Sequence, residues 1–145
     1  VVVFIGPCVA KQAEALKYPG VDYVMTFEEL GSLMIARGID LQVFEVEEQR
    51  AVIPERQFAA SSGVLNSVAA YYSGEQIKPL VISGLHKKNM AVLRRLATGK
   101  HDWNMIEVMA CEGGCLSGPG GVSSPDVARK LFNAQSGVHT EMLVQ

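Results

Sequence analysis

The chain has 145 residues, enough for one domain with a single hydrophobic core of ordinary size. Hydrophobic residues make up 48% of it and charged residues 19%, which indicates a globular chain and not a disordered one. The net charge of −2 and the pI near 5.9 exclude the basic footprint of a nucleic-acid-binding protein, and no apolar run is long enough to cross a bilayer. We therefore expect neither a nucleic-acid partner nor a membrane partner.

The first residues and the cysteine content indicate whether the chain is part of a longer protein and which compartment it occupies. It begins at Val1 inside an apolar run and without an initiator methionine, so we expect a piece of a longer protein. The opening "VVVFIG" is too short for a signal peptide and lacks its basic flank. Three cysteines do not make a disulfide framework. We expect a reducing compartment, the cytoplasm, and thiols with chemical or ligand roles.

The first half of the chain is predicted to alternate strands and helices. Its opening β-branched run is typical of a strand buried on both faces of a parallel sheet. Thr26 and Glu29 form the capping-box pattern of a helix that Gly38 ends. The alternating "LQVFEVEE" predicts a further strand at a sheet edge. The predicted strands are 1–5, 22–25 and 41–48, and the predicted helices are 10–16 and 27–37.

The second half continues the alternation. Ser124, Pro125 and Asp126 form a strong helix start, with a cap, a proline at the first position and an acid in the first turn. The predicted helices are 64–72, 89–97 and 125–133, and the predicted strands are 80–83 and 105–109. The pattern predicts an α/β fold over 1–145, a single domain with a mostly parallel β-sheet flanked by helices.

The cysteines are placed at the ends of predicted strands. Cys8 follows the first strand and Cys111 follows the last one. Ligands of open parallel sheets bind at the carboxyl ends of the strands, so we expect these cysteines to belong to one group. The alternative for Cys8 is that of many lone cysteines, a small buried hydrophobic side chain.

The spacing of Cys111 and Cys115 leaves several chemistries open. Gly113 and Gly114 lie between them and let the backbone wrap closely around a bulky inorganic group. Thiolates on such a loop select an iron–sulfur cluster or zinc, and a redox dithiol is also possible, although its usual spacing is C-x-x-C. Zinc is the weaker alternative, because the three histidines show no metal-ligand pairing with the cysteines; they are His86, His101 and His139.

The flanking residues resemble one family. The stretch "GPCVAKQAE" resembles the M-P-C-x-x-K-x-x-E motif of the iron-only hydrogenases, and "EVMACEGGCLSGPGG" resembles their E-x-M-A-C-x-x-G-C-x-x-G-G-G motif. The shorter stretches "DYVMTFEEL", "GID" and "SSGV" are also similar to that family and occur in the same order. The resemblance covers 4–121 and implies that the chain is one lobe of an iron-only hydrogenase catalytic domain.

The resemblance implies a cofactor and its ligands. Cys8 and Cys111 match ligands of a 4Fe–4S cluster, and Cys115 matches the ligand that also bridges to a two-iron subcluster. Lys11 matches a lysine that donates to a cyanide ligand of that subcluster, and Met109 matches a residue of the cluster pocket. The alternative for Lys11 is a solvated helix position.

Three further residues are expected to organise the pocket. Ser62 matches the region of the pocket wall, and Gly114 belongs to the loop that wraps the cluster. Glu107 is a carboxylate on a predicted strand, and a buried carboxylate needs a partner. We expect it to accept hydrogen bonds from backbone groups of the cysteine loop.

The sequence departs from the family pattern in three places. The family's T-S-C-C-P motif would precede Val1, so we expect the fragment alone to lack the intact cluster and to be inactive. Gly6 stands where the catalytic enzymes have methionine, and Pro119 interrupts the glycine run. Such changes resemble those of divergent, sensory members.

These features lead to three functional hypotheses. The first is part of a hydrogenase-like domain that reduces protons reversibly or senses hydrogen. The second is an iron–sulfur cluster-binding or assembly-related protein of the same superfamily without hydrogenase activity, and the third is an α/β domain with incidental thiols. For the first, the expected partners are the missing N-terminal part of the protein and an electron-transfer protein such as ferredoxin. Because faces that pack on that missing part would be exposed and apolar, we also expect the fragment to self-associate.

Overall fold

The computed structural model describes residues 1–44 and 55–136. These residues form two compact units, one made of 1–44 with 117–124 and the other of 55–116 with 125–136. The single domain expected over the whole chain stays a prediction. None of the helices in this described part combines the length and the apolar character that a bilayer crossing requires.

The first unit is built on a two-stranded parallel sheet. Its elements are β1 (Val3–Ile5), α1 (Ala10–Lys17), β2 (Tyr23–Met25), α2 (Phe27–Ala36) and a 3-10 turn at Leu41–Val43. Strands β1 and β2 pair in parallel, with Val3 opposite Tyr23 and Ile5 opposite Met25. The helix α1 makes the connection between them, as parallel pairing requires.

The capping box of α2 is confirmed. The Thr26 hydroxyl accepts the Glu29 N–H at 3.2 Å, and the Glu29 carboxylate accepts the Thr26 N–H at 2.7 Å. The backbone hydrogen bond from Thr26 and then the one from its hydroxyl lower the pKa of Glu29. At the other end Gly38 has φ +63°, as expected of a residue that ends a helix.

The second unit has a longer parallel pair. Its elements are a 3-10 turn (Glu55–Ala59), α3 (Gly63–Tyr71), β3 (Pro79–Ser83), α4 (Lys87–Leu96), β4 (Met105–Met109) and α5 (Pro125–Ser136). Strands β3 and β4 pair in parallel from Pro79 opposite Met105 to Ser83 opposite Met109. Ile82 on β3 is 2% exposed and is the one buried apolar side chain among the described residues. The bounds predicted for β4 agree with the structure.

Two expectations about the sheet need correction. The α/β class and the parallel pairing are confirmed, but the described strands form two separate sheets of two strands each. The prediction that the first strand is buried on both faces is wrong, since Val3, Phe4 and Ile5 are all exposed. Burial of a strand depends on the elements that cover it, and in this unit α1 packs mainly against β2.

The predicted strand at 41–48 is wrong in its first part. Leu41–Val43 forms a 3-10 turn, and 45–48 lie outside the described residues. The Asp40 carboxylate accepts the Gln42 N–H at 2.9 Å, and this local hydrogen bond competes with strand pairing.

Candidate metal centre

The cysteine loop begins where β4 ends. Cys111 follows the strand after one residue, and its carbonyl accepts the Gly114 N–H at 3.1 Å to close a turn. Gly113 and Gly114 have φ of +85° and +89°, which side chains other than glycine adopt at a cost. The turn therefore needs the two glycines between the cysteines.

Gly114 also lies too close to a second segment for any side chain. A Cβ atom there would lie 2.6 Å from the Ala59 carbonyl oxygen and 2.7 Å from the Ser61 nitrogen. The two segments form an antiparallel bridge between Ala60 and Gly114. This close approach fixes the loop against the residues that precede α3.

Two serines hold the middle of the loop, Ser83 through its hydroxyl and Ser61 through its backbone N–H. The Gly113 N–H donates to the Ser83 hydroxyl oxygen at 2.8 Å, and the Ser61 N–H donates to the Gly113 carbonyl at 3.3 Å. The two hydroxyls lie 2.8 Å apart and share a hydrogen bond. Both polar groups of Gly113 are thus held by the serine pair, which the sequence reasoning missed. Ser83 ends β3, so the rule that placed the cysteines at strand ends also points to it.

Glu107 connects β4 to the start of α3. Its side chain is 6% exposed, and its two oxygens accept the N–H groups of Ser62 at 2.7 Å and Leu65 at 2.8 Å. A carboxylate at a helix N-terminus satisfies otherwise unpaired donors and is favoured by the helix dipole. The expectation of backbone donors is confirmed, but they belong to the start of α3 and not to the cysteine loop.

Ser62 has a strained backbone. Its φ is +70°, and it is the one residue other than glycine with positive φ in the described part of the chain. Such a conformation persists where surrounding contacts impose it. Here Glu107 receives the Ser62 N–H, while Ser61 and Ala60 contact the cysteine loop. The strain therefore lies next to the loop that carries Cys111 and Cys115.

Met109 and the three cysteines are all half-buried, but they are divided between the two units. Met109 is half-buried at the end of β4, and its carbonyl accepts the Gly84 N–H at 2.9 Å. The cysteines, all of them described, are half-buried and form no disulfide. Cys111 and Cys115 belong to the second unit and Cys8 to the first. Among the described strands, β1 and β4 lie in separate sheets. The shared site of the three cysteines therefore stays a prediction.

Lys11 pairs with Glu14 on the surface of α1. Its ammonium group donates to both carboxylate oxygens, at 2.7 and 2.9 Å, and both side chains are about half exposed. The Lys11 N–H also donates to the Cys8 carbonyl at 3.3 Å, which places the lysine in the turn after the cysteine. Lys11 thus lies in a half-exposed position on the helix. Its role beside a cofactor and the alternative of a solvated lysine both stay predictions.

The donor set fits an iron–sulfur cluster by its chemistry. Half-buried thiols on a glycine turn suit soft metals, and thiolates are the usual ligands of such clusters. Within the described residues, no three His, Cys, Asp or Glu side chains are arranged to hold a single metal ion. The fit therefore rests on the thiols and the shape of the loop.

The chain is similar to known proteins of one kind. The family model described as "Iron only hydrogenase large subunit, C-terminal domain" matches residues 1–119. A solved structure of HydA(deltaEFG), described as revealing stepwise assembly of the FeFe-hydrogenase H-cluster, has a TM-score of 0.57 and 18% sequence identity. That similarity covers 97% of this chain and 53% of the other, so the chain spans about half the length of the hydrogenase. No curated protein sequence matches the chain.

The structural similarity, at its low identity, shows a shared fold. The family model covers most of the chain, including both segments that carry the cysteines. The chain accordingly belongs to the iron-only hydrogenase large subunit family, as part of its C-terminal domain.

Proposed function

We propose that this chain is the cluster-binding part of a hydrogenase-like protein that reduces protons reversibly to hydrogen or senses hydrogen. Cys8, Cys111 and Cys115 are its metal ligands in this proposal. A 4Fe–4S cluster joined to a two-iron subcluster supplies the redox chemistry when bound. The family membership supports the cofactor class, and the residue roles follow from the motif matches.

The observation that carries the proposal is the construction of the cysteine loop. A glycine turn, a serine pair and a close backbone approach hold 111–114 in place through contacts within the protein alone. A loop held by so many contacts presents its thiols at low entropic cost, because the backbone is already ordered. In the proposal Glu107 supports the same region from the other side, through the strained Ser62.

The remaining residues of the proposal bind and orient. Lys11 supplies a positive charge near Cys8 along the chain, and a charged donor suits an anionic ligand. Its pair with Glu14 must open for that role, which is inexpensive because exposed ion pairs contribute at most about 1 kcal/mol. Met109 contributes an apolar, polarisable side chain that helps to exclude water.

Anaerobic reconstitution of the longer protein that contains this chain tests the proposal. The protein is supplied with iron and sulfide for the 4Fe–4S cluster and with a synthetic two-iron complex that carries CO and cyanide for the subcluster. Its iron content and EPR spectrum are recorded, and hydrogen evolution from reduced viologen is measured. Cys111→Ser and Cys115→Ser should lose the cluster signal, whereas Glu112→Gln, an exposed change between them, should keep it. Equal cluster content in all three variants would contradict the ligand assignment.

The 145-residue chain by itself should hold no intact cluster. Three thiolates leave a four-iron cluster one protein ligand short, and ligand count is a condition of stable binding. Iron analysis and EPR after anaerobic reconstitution and desalting measure this directly. A stoichiometric 4Fe–4S signal that survives desalting would show that the chain supplies the whole site.

The second candidate is an iron–sulfur protein of the same superfamily without hydrogenase activity. Gly6 favours it, because this buried residue stands where the resemblance places a methionine in the catalytic enzymes. A Cβ atom at Gly6 would lie 3.0 Å from the Phe4 ring, so a methionine fits only if the ring moves. Cluster binding without hydrogen evolution in the reconstituted protein would select this candidate.

A further inference from the structure

The chain that leaves the cysteine loop folds with the first unit. Residues 117–124 begin two positions after Cys115 and belong to the same compact unit as Cys8. We call 117–124 the return segment. It contains a turn that closes through a hydrogen bond from the Gly121 N–H to the Gly118 carbonyl at 3.1 Å. The loop that carries two of the cysteines is thus followed directly by a segment that packs in the unit of the third.

Gly120 makes the backbone hydrogen bonds that hold the return segment in this unit. Its N–H donates to the Pro7 carbonyl at 2.9 Å, and its carbonyl accepts the N–H groups of Phe27 at 3.1 Å and Glu28 at 3.4 Å. The last two donors belong to the first turn of α2, where N–H groups have no acceptor within the helix. Gly120 therefore joins the residue before Cys8 to the start of α2.

A glycine is needed at position 120 for space and not for conformation. Gly120 is buried, and its φ is not positive, so its backbone does not lie in the region that favours glycine. A Cβ atom there would lie 2.6 Å from both the Cβ and the Cγ2 atoms of Thr26, and 3.3 Å from the Pro7 carbonyl oxygen. Even the smallest side chain would therefore push the return segment away from Pro7 or Thr26.

The hydrogen bond from Gly120 to Pro7 restricts the backbone of Cys8. The Pro7 carbonyl and the Cys8 nitrogen belong to one planar peptide group, so a donor on that carbonyl holds the plane from which Cys8 projects. On the other side, the Cys8 carbonyl accepts the Lys11 N–H at 3.3 Å. Both peptide planes that flank Cys8 are thus held, and its thiol is presented at low entropic cost.

Pro119 favours the turn that presents Gly120. It is the second residue of the turn from Gly118 to Gly121, a position at which the fixed φ of proline is favourable. Because proline limits the conformations of the unfolded segment, ordering the turn costs less entropy. The proline that interrupts the glycine run therefore supports the contact with Pro7 and leaves glycine at the position where contact requires it.

We propose that Gly120 is a positioning residue for the Cys8 ligand. Through the Pro7 carbonyl it holds the Cys8 backbone in the conformation that presents the thiol to the metal. The metal rests on the proposed function, whereas the ordering of Cys8 rests on the hydrogen bonds and close contacts of Gly120 alone. The competing role for Gly120 is that of a cap for α2 with no consequence for Cys8.

Alkylation of Cys8 in the metal-free 145-residue chain tests this ordering. Its rate is measured by mass spectrometry under native conditions for the unchanged chain, for Gly120→Ala and for Gly121→Ala. The last is a matched control in the same turn, since its Cβ atom would lie no closer than 3.3 Å to any atom beyond its chain neighbours. We expect Gly120→Ala to raise the rate on the order of tenfold, the effect of about one lost hydrogen bond, and Gly121→Ala to change it by less than about twofold. Equal rates in all three chains would overturn the proposal.

Two further variants separate positioning from stability. Thr26→Ala removes the hydroxyl that caps α2, so it should lower the unfolding temperature without accelerating the alkylation of Cys8. Pro119→Gly adds no atom at the contact and should raise the alkylation rate about two- to fivefold, because the turn loses its fixed φ. It decides the question if Gly120→Ala does not fold, and an unchanged rate in it would contradict the proposal. Alkylation that follows the unfolding temperature in every variant would leave Gly120 as a cap of α2 only.

The EPR spectrum of the reconstituted longer protein connects this ordering to the metal. At equal iron content, Gly120→Ala should shift the spectrum toward that of Cys8→Ser, whereas Gly121→Ala should keep the spectrum of the unchanged protein. A cluster with the same spectrum in Gly120→Ala would remove the positioning role and leave the proposed function intact. Absence of a cluster from every form, the unchanged protein included, would contradict the proposed function, while the alkylation rates test the ordering of Cys8 without metal.

Discussion

Glu107 is the residue through which β4 and the start of α3 are joined. Its carboxylate is buried and accepts the N–H groups of Ser62 and Leu65. These groups lie at the start of the helix and have no acceptor within it. A buried carboxylate is costly to desolvate and is retained only where its hydrogen bonds are complete. The sequence therefore predicts that Glu107 accepts hydrogen bonds. It does not predict which backbone groups donate them, because that depends on the position of α3.

The change Glu107→Gln tests this junction. The amide retains one acceptor oxygen and places an NH₂ group against the second N–H, so one buried donor is left without a partner. We expect a loss of about 1–3 kcal/mol in the free energy of unfolding, measured by urea denaturation. The exposed neighbour Glu112→Gln should change it by less than about 0.5 kcal/mol. Equal effects of the two changes would contradict the buried clamp.

Glu29 gives α2 a dependence on pH. Hydrogen bonds from Thr26 hold the pKa of this carboxylate below its ordinary value of 4.5 in the folded chain. Its contribution to stability is therefore present above that value and is lost as the pH falls through the lowered pKa. We expect the pH profile of thermal unfolding to flatten below about pH 4.5 in Glu29→Gln. If the unfolding temperature of that variant falls at acid pH as steeply as that of the unchanged chain, the pH dependence belongs to other carboxylates.

At the scale of elements, Gly114 is the point where two segments meet without room for a side chain. Gly99 offers a matched comparison, since its φ of +70° is also positive but nothing lies within 4 Å of an added Cβ atom. The difference between the two positions is therefore contact and not backbone conformation.

Replacing each glycine by alanine separates these two effects. Gly99→Ala should cost about 1–2 kcal/mol for the left-handed conformation alone. Gly114→Ala should cost more, because its Cβ atom would meet the Ala59 carbonyl, and it should raise the rate at which Cys111 and Cys115 react with a thiol reagent. Denaturation and mass-spectrometric alkylation rates measure the two quantities. Equal costs and unchanged rates would mean that the close approach does not fix the loop.

The serine pair permits a test by hydrogen exchange. In Ser83→Ala the Gly113 N–H loses its acceptor, so its exchange should accelerate on the order of tenfold or more, the effect of about one lost hydrogen bond. Ser83→Thr keeps the hydroxyl and should restore protection. Protection that is unchanged in the alanine variant would remove Ser83 from the support of the cysteine loop.

The features that could be predicted from the sequence are those that depend on residues close together in the chain. The capping box of Thr26, the left-handed Gly38 and the bounds of β4 depend on neighbouring residues, and all three agree with the structure. The strand predicted from 41 failed because the Asp40 side chain makes its own turn. The close contact between Gly114 and Ala59 joins residues far apart in the chain, and no spacing rule expresses it.

At the scale of the whole molecule, the described residues bury few large side chains. Val3, Phe4 and Ile5 of β1 are exposed, as are Leu16 on α1 and Ile35 on α2. The apolar run of β1 predicted burial from composition alone, but burial also depends on which elements cover a strand. Exposed apolar surface of this extent is typical of a face that packs on another element or chain.

The chain should therefore associate with itself in isolation. We expect dimers or larger oligomers in sedimentation velocity at concentrations of tens of micromolar, because burial of apolar area contributes roughly 25 cal/mol per Å². Phe4→Lys and Ile35→Lys together should shift the distribution toward monomer, whereas Glu75→Lys, an exposed polar change, should not. A strict monomer at all concentrations would contradict the expected association.

The proposed function depends most directly on whether the three cysteines share one site. A short bifunctional thiol reagent, applied anaerobically to the 145-residue chain, tests this without any metal. After trypsin, Cys8 is carried by 1–11, and Cys111 and Cys115 are both carried by 101–129. We predict a cross-linked pair of these two peptides in mass spectrometry, lost in Cys8→Ser. Efficient bridging between Cys111 and Cys115, with Cys8 modified only singly, would contradict the shared site.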